Sequence, residues 1–135
     1  MGTRARIGIV EPDGSITSIY THWDGHPNHH GPILLEYYGT EERVRALLAL
    51  GDLSVLDKDL GEKHDFNHRP DGVCNAYGRD RGEDGVSARH SASLGELREI
   101  AEEYTYLFQP TVGWKASNHQ CDSFVALANF LNVGA

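Results

Sequence analysis

Long apolar runs are missing from this 135-residue chain. No stretch approaches the ~20 consecutive apolar residues that a bilayer-spanning helix needs, and the opening MGTRARIGIV has no apolar segment of the kind a secretory leader requires. Basic charge is scarce: 12 Lys and Arg stand against 20 Asp and Glu, for a net charge of −8. Phosphate neutralisation takes an excess of Lys and Arg, so this balance argues against a general nucleic-acid binder. Cysteine is scarce too. Cys74 and Cys121 lie far apart and form no C-x-x-C pair, which supports neither a zinc ribbon nor a disulfide framework and fits a reducing compartment. No G-x-S-x-G, no P-loop, no H-E-x-x-H and no G-x-G-x-x-G leading into a helix occurs. There is no internal repeat. These absences describe one soluble cytoplasmic domain, 1–135, without a membrane partner and without a recognised catalytic signature.

What is present reads first as secondary structure. Arg4 to Val10 alternates as a strand, E-P-D-G at 11–14 is a tight turn, and Ser15 to Tyr20 returns as the partner strand. Pro32 suits the first turn of a short helix through Tyr38. Thr40 is a good N-cap for a second helix, with Glu41 and Glu42 in its first turn, Val44, Leu47 and Leu48 as its buried stripe and Gly51 as its stop. From Asp57 to Gly85 regular periodicity is lost. A connection of that length is either functional or disordered, and Phe66, Val73, Cys74 and Tyr77 favour order, with a short strand around Val73–Tyr77. Val86 to His90 reads as a strand, and Ser93 and Glu96 form a capping box ahead of Leu94, Leu97, Ile100 and Ala101. Tyr104 to Gln109 and Trp114 to Ser117 make a second hairpin. Ser117 and Gln120 suggest a last helix to about Leu131, burying Cys121, Phe124, Val125 and Ala128. Hairpins joined by helices predict an α+β fold with a mainly antiparallel sheet built from the N- and C-terminal hairpins, three to four helices packed on it and a long central loop.

Three groups of residues carry chemistry. The first is T-H-W-D-G-H-P-N-H-H-G at 21–31, where His22, Asp24, His26, His29 and His30 offer nitrogen and oxygen ligands to zinc or another transition metal. His64, Asp65 and His68 offer a second instalment. The alternative is a histidine-rich turn with Trp23 anchored in the core. The second group is basic and glycine-rich: Lys63, Arg69, and Tyr77, Arg79 and Arg81 within Y-G-R-D-R-G. Guanidinium groups fork onto phosphate or carboxylate, and an aromatic ring stacks on a base. The alternative is that Arg79 and Arg81 pair with Asp80, Glu83, Asp24 or Asp84 and tie the loop to the domain. The third is a search for a nucleophile. Cys121 reads as core, and Cys74, within the central loop, is a weak candidate thiolate.

The set M-G-T-R-A-R-I-G at the start, H-W-D-G at 22–25, G-P-I-L-L-E-Y-Y at 31–38, L-G-D-L-S-V-L at 50–56, G-E-K-H-D-F at 61–66 and Y-G-R-D-R-G-E at 77–83 resembles a family of small, mostly unannotated proteins of bacteriophages and prophages. The likeness covers roughly the first 85 residues well and the last third in outline. That family carries tyrosine where this chain has His26 and does not require His29 and His30. His22, Trp23, Asp24, Arg79, Asp80 and Arg81 match its pattern. The resemblance implies a counter-defence role in the cytoplasm of the host cell, of the kind played by anti-CRISPR inhibitors and nucleotide sponges. The expectation is therefore a stoichiometric inhibitor that binds a host defence protein or an anionic nucleotide signal, with His22, Trp23, Asp24, Lys63, Arg69, Tyr77, Arg79 and Arg81 as its contact residues and room for a homo-oligomer. No cofactor is required by this reading. The competing expectation is a small metal-dependent hydrolase using the histidines of 22–30.

Overall fold

A computed structural model of the chain describes residues 3–118 and 124–128. The N-terminal hairpin forms as its sequence dictates. Strand β1, Ala5–Val10, pairs antiparallel with β2, Ile16–Thr21. The turn between them closes through Gly14 N donating to Glu11 O, while the Asp13 carboxylate accepts from the Ser15 amide. Helix α1 spans Pro27–Tyr37 and α2 spans Glu41–Leu48, the latter capped by Thr40, whose hydroxyl accepts from the Arg43 amide. Three-residue β3, Leu53–Val55, and two-residue β4, Asn75–Ala76, run into the short helix α3, Tyr77–Arg81. After β5, Arg89–Ser91, comes α4, Leu94–Glu99, with the Ser93 hydroxyl accepting from the Glu96 amide as the capping box predicts. Strands β6, Tyr104–Gln109, and β7, Gly113–Asn118, make the second hairpin, and β8, Val125–Ala126, lies on β7.

Among the described residues these form four helices and one eight-stranded sheet in the order β4-β3-β2-β1-β6-β7-β8, with β5 also paired to β2. The fold is α+β, but the sheet is mixed. The two hairpins dock through their inner strands, β1 and β6, in parallel, and β2 meets β3 in parallel at Thr21 and Leu53. Turn residues specify pairing inside each hairpin. They say nothing about how hairpins more than eighty residues apart are oriented, so the antiparallel expectation fails at this junction.

The period of two divides the sheet into unlike faces. Ala5, Ile7, Ile9, Ile19, Tyr106, Phe108 and Trp114 point to the main core, which Leu34 and Tyr38 of α1 and Val44, Leu47 and Leu48 of α2 complete. The opposite face is thinner: Ile16, Leu97 and Leu107, flanked by Val10, Leu94, Ile100 and Phe124. Trp114 Nε1 donates to Tyr38 O at 2.7 Å, joining the end of α1 to the second hairpin.

Two helix expectations need correction. Helix α1 begins at Pro27, not Pro32. His26 is its N-cap, its Nδ1 accepting from the Asn28 amide at 3.2 Å, and Pro27 fills the first turn, leaving Pro32 inside the helix. Histidine is not among the preferred capping residues, which hid this start. At the C-terminus Ser117 belongs to β7 and does not cap a helix. Val125 and Ala126 extend the sheet edge, Val125 is exposed, and helical backbone is described only at 127 and 128. Gln120, Cys121 and Leu131 lie outside the described residues.

Candidate functional site

The central segment is ordered around one carboxylate. Asp80 of α3 has a fully buried side chain. It accepts from the Ala76 amide at 2.8 Å, the His64 amide at 3.1 Å and Arg79 Nε at 2.9 Å, with Arg79 donating a second bond from Nη2 at 3.1 Å. Burial pushes this carboxyl up. The Arg79 guanidinium and the two amides outweigh burial and hold it below the ordinary carboxylate range. Arg79 also donates to the carbonyls of Leu60 and Cys74, at 2.6 and 3.0 Å, so one guanidinium sews two stretches of backbone to α3. His64 Nε2 lies 2.9 Å from Asn75 Oδ1, and Asn75 Nδ2 donates to Phe66 O. The 61–66 and 77–83 motifs are thus two halves of one knot. Helix α3 ends where Gly82, at φ +75°, lets its amide reach Gly78 O and the Glu83 amide reach Tyr77 O. Arg69 fastens the remaining flank to the Asp57 carboxylate and Val73 O.

Outside the knot runs a strip of rings. Phe66 and Tyr77 are stacked with centroids 5.5 Å apart, and the Arg81 guanidinium lies 4.5 Å over Phe66 and 4.9 Å over Tyr77. Arg81 also pairs with Glu83. On the other side of β3, burial pushes the Tyr20 phenol up. Tyr20 Oη is 2.7 Å from His22 Nδ1, and His22 meets Trp23 edge to face at 4.8 Å. The Tyr77 amide donates to Asp52 O, the Tyr20 amide to Asp52 Oδ1, and the His22 and Trp23 amides to the carbonyls of Leu53 and Ser54. Strand β3 therefore runs between the H-W-D-G turn, on its β2 side, and the Y-G-R-D-R-G-E helix, on its β4 side. Two groups result and together make the strip: Trp23, His22 and Tyr20 on one side of β3, and Tyr77, Phe66 and Arg81 on the other.

The expected contact residues separate accordingly. His22, Trp23, Tyr77 and Arg81 lie along the strip, and Lys63 is exposed. Arg69 and Arg79 spend their donors inside the protein, so for Arg79 the structural pairing with Asp80 prevails over ligand capture. Of the carboxylates open to Arg79 and Arg81, Asp80 and Glu83 take the two guanidiniums and Asp24 takes neither. Trp23 is 43% exposed and not a core anchor, because the backbone, not the indole, ties the turn to β3. Tyr20 was missed. It sits on the strand's second face, which the sequence pattern alone does not mark as an edge.

The histidines of 21–31 disperse. His22 faces Tyr20, His26 caps α1, and His29 Nδ1 lies 3.0 Å from His30 Nδ1, while Asp24 is exposed with φ +57°. His30 is fully buried beside Tyr106, whose hydroxyl donates to Gly25 O at 2.6 Å. Burial first, and His29 second, push its pKa down to about 3. Among the described residues no three His, Cys, Asp or Glu side chains are grouped to hold a metal ion. His64 and His68 diverge as well, His64 inward to Asn75 and His68 outward to Asp65. Cys74 is buried, its thiol pushed up by burial and lodged between Tyr38 Oη and the Asp57 backbone. That is a packing environment, unlike the electropositive exposed setting of a reactive thiolate.

Comparison of the chain with family models, with curated proteins and with solved structures yields no match. No helix among the described residues is long and apolar enough to cross a membrane.

Proposed function

We propose that the chain is a phage-type counter-defence protein that inhibits a host defence component by stoichiometric occupancy, and that the occupied partner is a protein. The resemblance to phage and prophage proteins supplies the class. The observation that carries the surface is the pair of groups flanking β3, Trp23–His22–Tyr20 and Tyr77–Phe66–Arg81. Trp, Tyr and Arg are the residue types that dominate binding energy at protein interfaces, since large rings and guanidinium stems bury much area for little lost rotamer freedom. Here they stand on backbone already fixed by Asp80 and β3, so little ordering entropy is left to oppose binding. An acidic chain suits a partner with a basic rim.

A nucleotide signal is the weaker ligand. The faces of Phe66 and Tyr77 are turned to each other and to Arg81, and two of the four basic residues are consumed internally.

The test is expression in bacteria carrying defined defence systems, followed by phage plating and purification of the complex. Restored plating with a fixed-ratio complex, both abolished by Trp23→Ala combined with Arg81→Glu in a folded variant, is the expected result. Inactivation of many target molecules per chain would replace occupancy with catalysis.

A further inference from the structure

The strip occupies one end of β2; the other end of the same strand borders an unassigned cavity. Val10, Ile16, Leu94, Leu107 and Phe124 line a cleft of about 230 Å³, open on one side to solvent, on the thinner face of the sheet beside α4. Its existence follows from the register. Leu107 lies opposite Gly8 across the parallel β1–β6 pair, and Leu107 Cδ2 comes within 3.2 Å of where a Gly8 Cβ would stand. The missing side chain lets Leu107 lie down over the strand, and the space above it is left unfilled. Among the described residues the short α4 and Phe124 cover this side, whereas α1 and α2 close the main core.

The wall is not wholly apolar. Lys115 faces Leu107 as its cross-strand partner on β7, and Gln109 stands beside it. Lys115 forms no ion pair among the described residues. In a chain of net charge −8, an ammonium left without a carboxylate beside an apolar cavity is an arrangement that selects an anionic head and an apolar tail.

We infer that this cavity binds a small monocarboxylic acid, its aliphatic or aromatic tail among Ile16, Leu94, Leu107 and Phe124 and its carboxylate on Lys115 Nζ and the Gln109 amide. The volume sets the size. An apolar cavity of about 150 Å³ accommodates benzene, so 230 Å³ takes a phenyl or five-carbon tail with little to spare. A charge-assisted bond to Lys115 then orients the molecule, and burial of the tail supplies most of the affinity.

The experiment is a titration of the full ¹⁵N-labelled chain with hexanoate, phenylacetate, hexanol and hexylamine, followed by two-dimensional NMR. Hexanoate and phenylacetate are expected to give saturable shifts centred on Val10, Ile16, Leu107 and Lys115. Hexanol should bind about tenfold more weakly and hexylamine not at all. Lys115→Gln should bring hexanoate down to the level of hexanol, Lys115→Arg should retain it, and Leu94→Trp should fill the cavity and abolish every response. Each variant's undisturbed spectrum verifies its fold. Equal binding of hexanol and hexanoate, persistence of the response in Leu94→Trp, or no saturable shift with any probe would overturn the assignment. A peptide ending in phenylalanine that binds where phenylacetate does not would likewise overturn it, in favour of a chain terminus as the occupant.

Discussion

In residues 21–31 the imidazoles and the carboxylate share no common partner, whereas in residues 57–85 the polar side chains converge on one. Both stretches are rich in histidine, aspartate and glycine, and each read as a site. His22, His26 and His30 point to a phenol, a helix end and the core. His64, Asn75, Arg79 and the Ala76 amide gather on or beside Asp80. The difference lies in the backbone. The first stretch is a strand end followed at once by a helix, which sets His26 at its own N-terminus and leaves His29 and His30 side by side. The second folds back on itself, so 61–66 and 74–81 lie alongside each other. Composition marks a segment as polar; only its path decides whether the polar groups meet.

Breaking that convergence should have the largest effect. Asp80→Asn keeps the shape but removes the charge opposite Arg79, and leaves a buried guanidinium without its anion. Loss of one partner from a buried pair costs about 3–5 kcal/mol, so urea unfolding should show a lower midpoint, and proteolysis should cut first within 57–85. The native carboxyl lies below its ordinary range, so the stabilisation it provides is present above the unfolded-state pKa and is lost as pH falls through the folded one. Unchanged protection of 57–85 in Asp80→Asn would mean that the segment is held by other contacts.

The 21–31 stretch should respond to acid instead, and at higher pH. His30 titrates at about 3 in the fold against 6.5 when unperturbed. A folded pKa below the unfolded one means that the unfolded chain takes up a proton the native chain refuses. Stability contributed by neutral His30 is therefore full above about pH 6.5 and declines below it, at about 1.4 kcal/mol per pH unit. Denaturant titrations between pH 6 and 5 should show this slope, and His30→Leu should flatten it. An unaltered slope in that variant would assign the acid sensitivity to another group.

Local signals in the sequence were enough for β1, β2, α2, the Ser93 cap and the second hairpin, because each depends on residues within a few positions of one another. The pairing of Arg79 with Asp80 and Arg81 with Glu83 was also legible, as the structural alternative to ligand binding. The parallel junction of β1 with β6, the start of α1 at a histidine cap and the role of Tyr20 were not. Each depends on a partner far along the chain or on a residue used against its usual preference. Trp23 shows the same limit: an indole beside a turn reads as an anchor, yet the amides of His22 and Trp23 do the anchoring and leave the ring outside.

The finest test separates two histidines four residues apart, once grouped as a potential ligand pair. His64 lies inside the knot, with Nε2 on Asn75 Oδ1 and 3.5 Å from the Asp80 carboxylate. His68 lies outside it, its one side-chain partner among the described residues being the exposed Asp65 carboxylate at 2.8 Å. Removing a buried hydrogen-bonding side chain costs about 1 kcal/mol and more when its partner is stranded, so His64→Ala should lower the thermal midpoint by a few degrees and expose Asn75. Exposed ion pairs are screened and hold two mobile side chains at an entropic cost that cancels most of their attraction. His68→Ala should therefore leave the midpoint where it is, at low and at high salt alike. Thermal melts of the two variants side by side measure the difference. Equal losses in both would show that the segment's order extends to its outer turn and that convergence on Asp80 is not what divides inside from outside.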